Sequence, residues 1–217
     1  MDEGYKELPY KEFLSAIING NYKESSEIVL RKYDEGLDLI TIYEGIIRKA
    51  LYEVGNLWEY NRISVATEHM ASAISEKVIN EVYMKTPSGR SVNRKAIISC
   101  IENEAHLIGA RMINDIFELN GWDTYFLGAN TPAGELIRFS KAAHPHIIAI
   151  SVSIYFHIPS LIKLIDLIRT ELPDIRIVIG GQAFRNGRED ILKPYANVLF
   201  FPDLPSVDNY LKTLANE

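Results

Sequence analysis

Three groups of residues carry more chemistry than packing requires. The first is Glu104-Ala105-His106-Leu107-Ile108-Gly109. An imidazole with a carboxylate two positions before it can be oriented by that acid and made more basic, which is what a metal-ligating histidine needs. Gly109 has no side chain to hold a bulky ligand away from the backbone. Taken alone, a His near a helix start more often caps the helix or lies on the surface. The second group, Ser151-Val152-Ser153, places two hydroxyls two residues apart on one side of a strand, where both can donate to a heterocycle. The third, Gly180-Gly181, allows close backbone contact with a ligand tail or a phosphate. Isolated serines at a strand end, or one Gly-Gly turn, need no ligand to explain them.

The elements around these residues decide whether they meet. From Lys95 onward, short apolar runs alternate with helical stripes. Strands are expected at Ala96–Ile101, Asp123–Leu127, Ile147–Val152, Ile175–Ile179 and Val198–Phe200. Helices are expected between and after them, at Ala105–Asn120, Pro132–Ala143, Ser160–Glu171, a less regular stretch at Asn186–Pro194, and Ser206–Ala215. Five such alternations imply a flavodoxin-like, doubly wound parallel sheet, which binds ligands at the carboxyl ends of its strands. His106, Ser151, Ser153, Gly180 and Gly181 all fall at or just after strand ends, on one rim.

The amino-terminal half has a different period. Apolar residues recur at three- and four-residue intervals from Pro9 to about Met84. The stripes end at Asn19-Gly20-Asn21 and again near Asp34-Glu35-Gly36. The third restarts at Asp38, an N-cap, and the fourth near Ser64. Four helices with short connections make a small bundle. The polar, Pro- and Gly-containing segment Thr86–Arg94 separates the halves. The expected architecture is all-α plus α/β: an amino-terminal four-helix bundle over residues 1–88, then a five-stranded parallel sheet domain over 89–217.

Composition excludes several functions. With 217 residues, one or two domains are expected, and the net charge of −6 suits a nucleic-acid backbone poorly. The single cysteine, Cys100, rules out an internal disulfide framework and a multi-cysteine zinc site. The acidic start is not a signal peptide, and the longest near-apolar run, Ile147–Phe156, is too short to span a bilayer. A soluble, cytoplasmic protein with neither nucleic-acid nor membrane partners is the expectation.

Taken together, Glu104-x-His106-x-x-Gly109, Ser151-x-Ser153 and Gly180-Gly181 resemble the cobalamin-binding domain of corrinoid proteins, whose pattern is Asp-x-His-x-x-Gly, Ser-x-Leu or Ser-x-Thr, and Gly-Gly. The resemblance covers about the whole second half of the chain. It implies that His106 displaces the cofactor's dimethylbenzimidazole and ligates cobalt from below, with the Ser and Gly positions holding the nucleotide tail. Glu104 stands where Asp is usual, and Ser153 where Leu or Thr is common.

The segment from Val54 to His69 is similar to the helical cap of CarH/LitR-type light-sensing regulators, in which a Trp precedes a Glu-His pair by ten positions. Here these are Trp58, Glu68 and His69. The resemblance implies that Trp58 packs over the upper alkyl group and that Glu68 and His69 contact adenosyl. An indole suits an apolar, photolabile cobalt–carbon bond, and a carboxylate with an imidazole can read ribose hydroxyls or adenine nitrogens. Without that resemblance, Trp58 reads as a core aromatic and Glu68-His69 as a solvated helix start. Glu59 occupies the position where such regulators often carry a second His, and no amino-terminal winged helix is expected. Two functions follow. One is a non-enzymatic cobalamin sensor, binding adenosyl- or methylcobalamin and acting through a partner or self-association. The other is a corrinoid carrier that passes a methyl group within a methyltransferase system. The cap sequence favours the sensor.

Overall fold

A computed structural model of the chain describes residues 9–185, 187 and 189–215, and these separate into two units between Pro87 and Ser88. The first unit is helical: α1 (Tyr10–Ile18), α2 (Tyr22–Asp34), α3 (39–59) and α4 (Val65–Lys85). Three of the four starts are closed by a side-chain oxygen. Asn21 accepts from the Glu24 amide at 3.2 Å, Asp38 from Thr41 at 2.9 Å and Ser64 from Thr67 at 3.1 Å. Each cap satisfies an amide that the helix itself leaves without an acceptor.

The third helix is not uniform. It runs as α-helix over Leu39–Ile42, widens to π turns over Tyr43–Arg48 and returns to α-helix over Lys49–Glu59. Sequence periodicity gives one uninterrupted helix here. The wider turns rotate successive residues less around the axis, so that Ile42, Tyr43, Ile46 and Ile47 all become fully buried. With Phe13, Ile17, Val29, Val78 and Ile79 they form the bundle core.

The second unit is a five-stranded sheet of order β2-β1-β3-β4-β5, parallel throughout, formed by β1 (Lys95–Cys100), β2 (Asp123–Gly128), β3 (Ile147–Ser151), β4 (Arg176–Gly180) and β5 (Val198–Phe200). The helices are α5 (Ile108–Leu119), α6 (Ala133–Ala143), α7 (Ile158–Glu171) and α8 (Leu204–Leu214). Nearly every residue of β1 and β3 is buried, as expected for central strands covered on both faces. The order reverses between β1 and β3, and an open α/β sheet forms its ligand crevice beyond the carboxyl ends of such a strand pair.

The helix expected over 186–194 does not form. Two 3₁₀ turns, Gln182–Phe184 and Glu189–Leu192, stand in this region instead, with Gly187 between them at φ +87°. Asn186 and Arg188 lie outside the described residues. Ala183, Phe184 and Leu192 are buried, and each turn anchors its own small piece of the apolar surface. Among the described residues, no helix is long and apolar enough to cross a membrane.

Replacing the Asp38 cap with Ala should cost the protein about 1 kcal/mol in a urea unfolding titration. A change near zero would show that the third helix does not depend on its cap.

Candidate functional site

The site begins with a tight turn after β1. The Glu104 amide donates to the Ile101 carbonyl at 3.0 Å, and Asn103 adopts the left-handed conformation at φ +66°, which Asn tolerates better than most residues. A second left-handed residue, Asn130, accepts from the Asn103 amide through Oδ1 and donates its own amide to the Glu104 carbonyl. These bonds fix the turn and direct the Glu104 side chain inward, where it is fully buried.

Five donors meet that carboxylate. Oε1 accepts from the His106 amide at 3.1 Å and lies 2.5 Å from His106 Nδ1. Oε2 accepts from the amides of Ser153 and Ile154, each at 3.0 Å, and lies 3.3 Å from His157 Nδ1. Burial pushes the Glu104 carboxyl up. The hydrogen bonds from His106, Ile154 and Ser153 outweigh it and hold the group at about 2. It is therefore an anion at any ordinary pH. Holding a proton on Nδ1 of His106 leaves the lone pair on Nε2, and that imidazole is 58% exposed. The arrangement has the chemistry of a single metal-ligating imidazole with its orienting carboxylate.

The helix expected from Ala105 starts only at Ile108. The carboxylate takes the His106 amide and nitrogen together, which holds residues 104–107 out of the helix. Gly109 is exposed in the first turn of α5, and a Cβ there would meet only Ser151 Oγ, at 3.5 Å. The first turn of α5 and the end of β3 are thus neighbours, with open surface beside them.

The serines differ from the expectation. Strand β3 ends at Ser151, so the alternation that would aim both hydroxyls to one side stops before Ser153. Ser151 is buried, and Ser153 contributes its backbone amide to Glu104. The glycines differ as well. Gly181 sits at φ +117°, and a Cβ there would lie 2.2 Å from the Val152 carbonyl oxygen. The chain needs glycine at this position to pass its own backbone, whatever ligand binds. At Gly180 a Cβ would meet the Phe201 carbonyl oxygen at 3.1 Å.

Sequence reasoning missed His157. It ends the 3₁₀ turn Tyr155–His157, is 19% exposed, and reaches Glu104 across 53 residues of chain. No local spacing could reveal that pairing. Cys100 is adjacent but inert: burial, with the nearby Glu104 charge, pushes its thiol up to about 12.

On the bundle, Trp58 is 50% exposed in the last turn of α3, so it is not a core aromatic. Glu68 lies in the first turn of α4, accepts from Ser72 Oγ at 2.9 Å and approaches His69 Nε2 at 3.5 Å. His69 is well exposed, as is Glu59.

Among the described residues, no three His, Cys, Asp or Glu side chains converge to hold a bare ion. One presented imidazole fits instead a metal that arrives with its equatorial ligands already in place, as cobalt does in a corrin. A family model described as a B12 binding domain matches residues 94–203, and a second B12 binding domain model matches residues 10–83. The chain belongs to the B12-binding domain family. It is a cobalamin-binding protein, and it resembles the sensory module of CarH. The HTH-type transcriptional repressor CarH of Myxococcus xanthus is 24% identical over 161 residues, 73% of this chain. The match spans 52% of CarH, about half its length. A corrinoid protein of Desulfitobacterium hafniense is 25% identical over 178 residues, covering 78% of this chain and 82% of that one. The solved monomethylamine corrinoid protein of Methanosarcina barkeri superposes with a TM-score of 0.77 at 15% identity, over 94% of this chain and 97% of its own, a likeness of fold.

Two stability measurements test this geometry. Glu104→Ala leaves the Ser153 and Ile154 amides and two imidazoles without their acceptor, and should cost about 3–5 kcal/mol in urea unfolding. A loss below about 1 kcal/mol would mean that water replaces the carboxylate easily. Gly181→Ala should cost about 2 kcal/mol or more, in the absence of any ligand, because of its φ and the Val152 contact.

Proposed function

We propose that the protein is a cobalamin-binding sensor module, with a bundle over 1–88 and a cofactor domain over 89–217, working in the cytoplasm through a protein partner or self-association. His106 is the lower axial ligand. The observation that carries this assignment is the exposed imidazole whose Nδ1 rests on the buried Glu104 carboxylate. Ser151, Ser153, Gly109, Gly180 and Gly181 border the path of the nucleotide tail. For Ser153 and Gly181 the support is one of position, since their own contacts are with the protein backbone.

Bound alkylcobalamin supplies a cobalt–carbon bond that light can break. The chain's residues surround and read it. His157 and the Ser153 and Ile154 amides hold Glu104, and Glu104 holds the proton on Nδ1 of His106. On the bundle, Trp58 would offer an apolar ring, and Glu68 and His69 a carboxylate and an imidazole, to an adenosyl group of the cofactor. The half-exposed indole favours the sensor, because an apolar ring held at the surface costs the bundle burial it would otherwise gain. Glu59 gives no imidazole after Trp58, which leaves His69 as the bundle's nearby nitrogen donor.

A second reading has one observation behind it. The alignment with the Desulfitobacterium hafniense corrinoid protein spans 82% of that chain, against 52% of CarH. On that reading the protein carries a methyl group for a methyltransferase.

Absorption spectra of protein loaded with adenosyl- and methylcobalamin, in the dark and after green light, separate the two. The sensor predicts a preference for adenosylcobalamin and a light-dependent change in assembly or protease sensitivity. No preference, with rapid methyl transfer to an added acceptor system, would establish the carrier. In the same assay His106→Ala should weaken binding or abolish the His-ligated spectrum, and a wild-type spectrum in that variant would remove His106 from the cobalt. Glu68→Ala should weaken adenosylcobalamin about ten- to a hundred-fold through loss of a charge-assisted hydrogen bond, and leave methylcobalamin nearly unchanged.

A further inference from the structure

The polar stretch Thr86–Arg94, with its Pro and Gly, has the composition of a flexible connector. Its backbone is tied down instead. On the bundle side, the Thr86 amide donates to the Tyr83 carbonyl at 2.8 Å and its Oγ1 to the Val82 carbonyl at 3.0 Å, so this residue still belongs to the end of α4. On the sheet side, the Val92 amide donates to the Gly121 carbonyl at 2.9 Å. The Asp123 amide donates to the Arg94 carbonyl at 2.8 Å, where the chain runs on into β1.

Between these bonds two glycines interlock. A Cβ on Gly89 would lie 2.1 Å from the Leu119 carbonyl oxygen and 2.8 Å from the Gly121 nitrogen. A Cβ on Gly121 would lie 1.9 Å from the Arg90 carbonyl oxygen. Both separations are far inside van der Waals contact. The segment and the turn that ends α5 therefore touch backbone to backbone, and each needs the other to lack a side chain. Gly121 has a further reason for being glycine in its φ of +78°. The φ of Gly89 lies outside the left-handed region, so its reason is this contact.

We infer that residues 89–94 are a strap fixed to the sheet domain, and that this clasp shortens the connector to a joint of two residues, Pro87 and Ser88. Chain length decides what such a joint allows. The nine residues from Thr86 to Arg94, if free, would span up to about 30 Å, while two span about 7 Å. The ring of Pro87 also removes one of the joint's rotations. The bundle can then turn about this joint but not travel from it. The inference is independent of the choice between sensor and carrier.

Arg90 provides the test. Its side chain is exposed, so trypsin can cut after it as soon as the surrounding backbone comes free. In full-length, cofactor-free protein the Arg90–Ser91 bond should resist trypsin, with the fragments followed by mass spectrometry. Gly89→Ala adds a methyl group that a free connector would accept without loss. Against the Leu119 carbonyl it should release the strap and speed cleavage after Arg90 at least about tenfold. Gly128→Ala is the control. It strains the same domain through a φ of +73°, with only an ordinary contact of 3.6 Å to Phe126, and should leave Arg90 resistant. Ready cleavage after Arg90 in the wild type would overturn the inference, as would a Gly89→Ala protein cut no faster. Equal cleavage in Gly128→Ala would trace the effect to general loss of stability and overturn it as well.

Discussion

A buried carboxylate survives in a protein only when its surroundings replace the water it has lost. Glu104 meets that condition with donors from two separate parts of the chain: its own loop, through His106, and the segment after β3, through Ser153, Ile154 and His157. The arrangement is demanding in both directions. Without the anion, the two backbone amides just after β3 lose their acceptor; without those amides, the anion could not be kept dry at so low a pKa. The turn at Asn103 and Asn130 delivers this group to its place, and the late start of α5 and the exposed presentation of His106 follow from satisfying it.

That dependence also joins the two central strands at their carboxyl ends. β1 and β3 are hydrogen-bonded along their length, from Ala96 beside Ile147 to Cys100 beside Ser151. Beyond the last pair the backbones diverge, because the chain continues into different helices. Glu104 bridges the gap just where the ladder stops. An imidazole resting on that bridge is anchored to the most deeply buried part of the sheet rather than to a loose surface loop, the condition under which a ligating atom can be held within a few tenths of an ångström.

The sheet was legible in the sequence because buried parallel strands are nearly continuous apolar runs, and Ile147 to Ile150 or Ile177 to Ile179 have few other ways to be buried. The pairing of Glu104 with His106 was legible because it is local. What lay beyond reading was set by distance along the chain. His157 meets Glu104 only after the intervening helices and strands have folded, and nothing in its neighbourhood marks it. The role of Gly181 was hidden for a similar reason, since the atom that excludes a side chain there belongs to Val152. Ser153 shows a subtler limit: its residue type suggested a hydroxyl at work, while the structure uses the one group every residue except proline shares. In the bundle, the π turns of α3 were invisible to a fixed 3.6-residue period, which cannot register a helix that changes its own pitch.

Cys100, the only thiol in the sequence, is buried under the His106 loop with its pKa driven to about 12, so almost none of it is thiolate near neutrality. For spectroscopy this is a silent background. A cysteine introduced on the bundle or on the sheet domain would be the one position to accept a maleimide dye or spin label, with no need to delete the native residue first. One such cysteine on each unit would carry a pair of labels, and the distance between them could be followed during cofactor loading or illumination with the native thiol left in place.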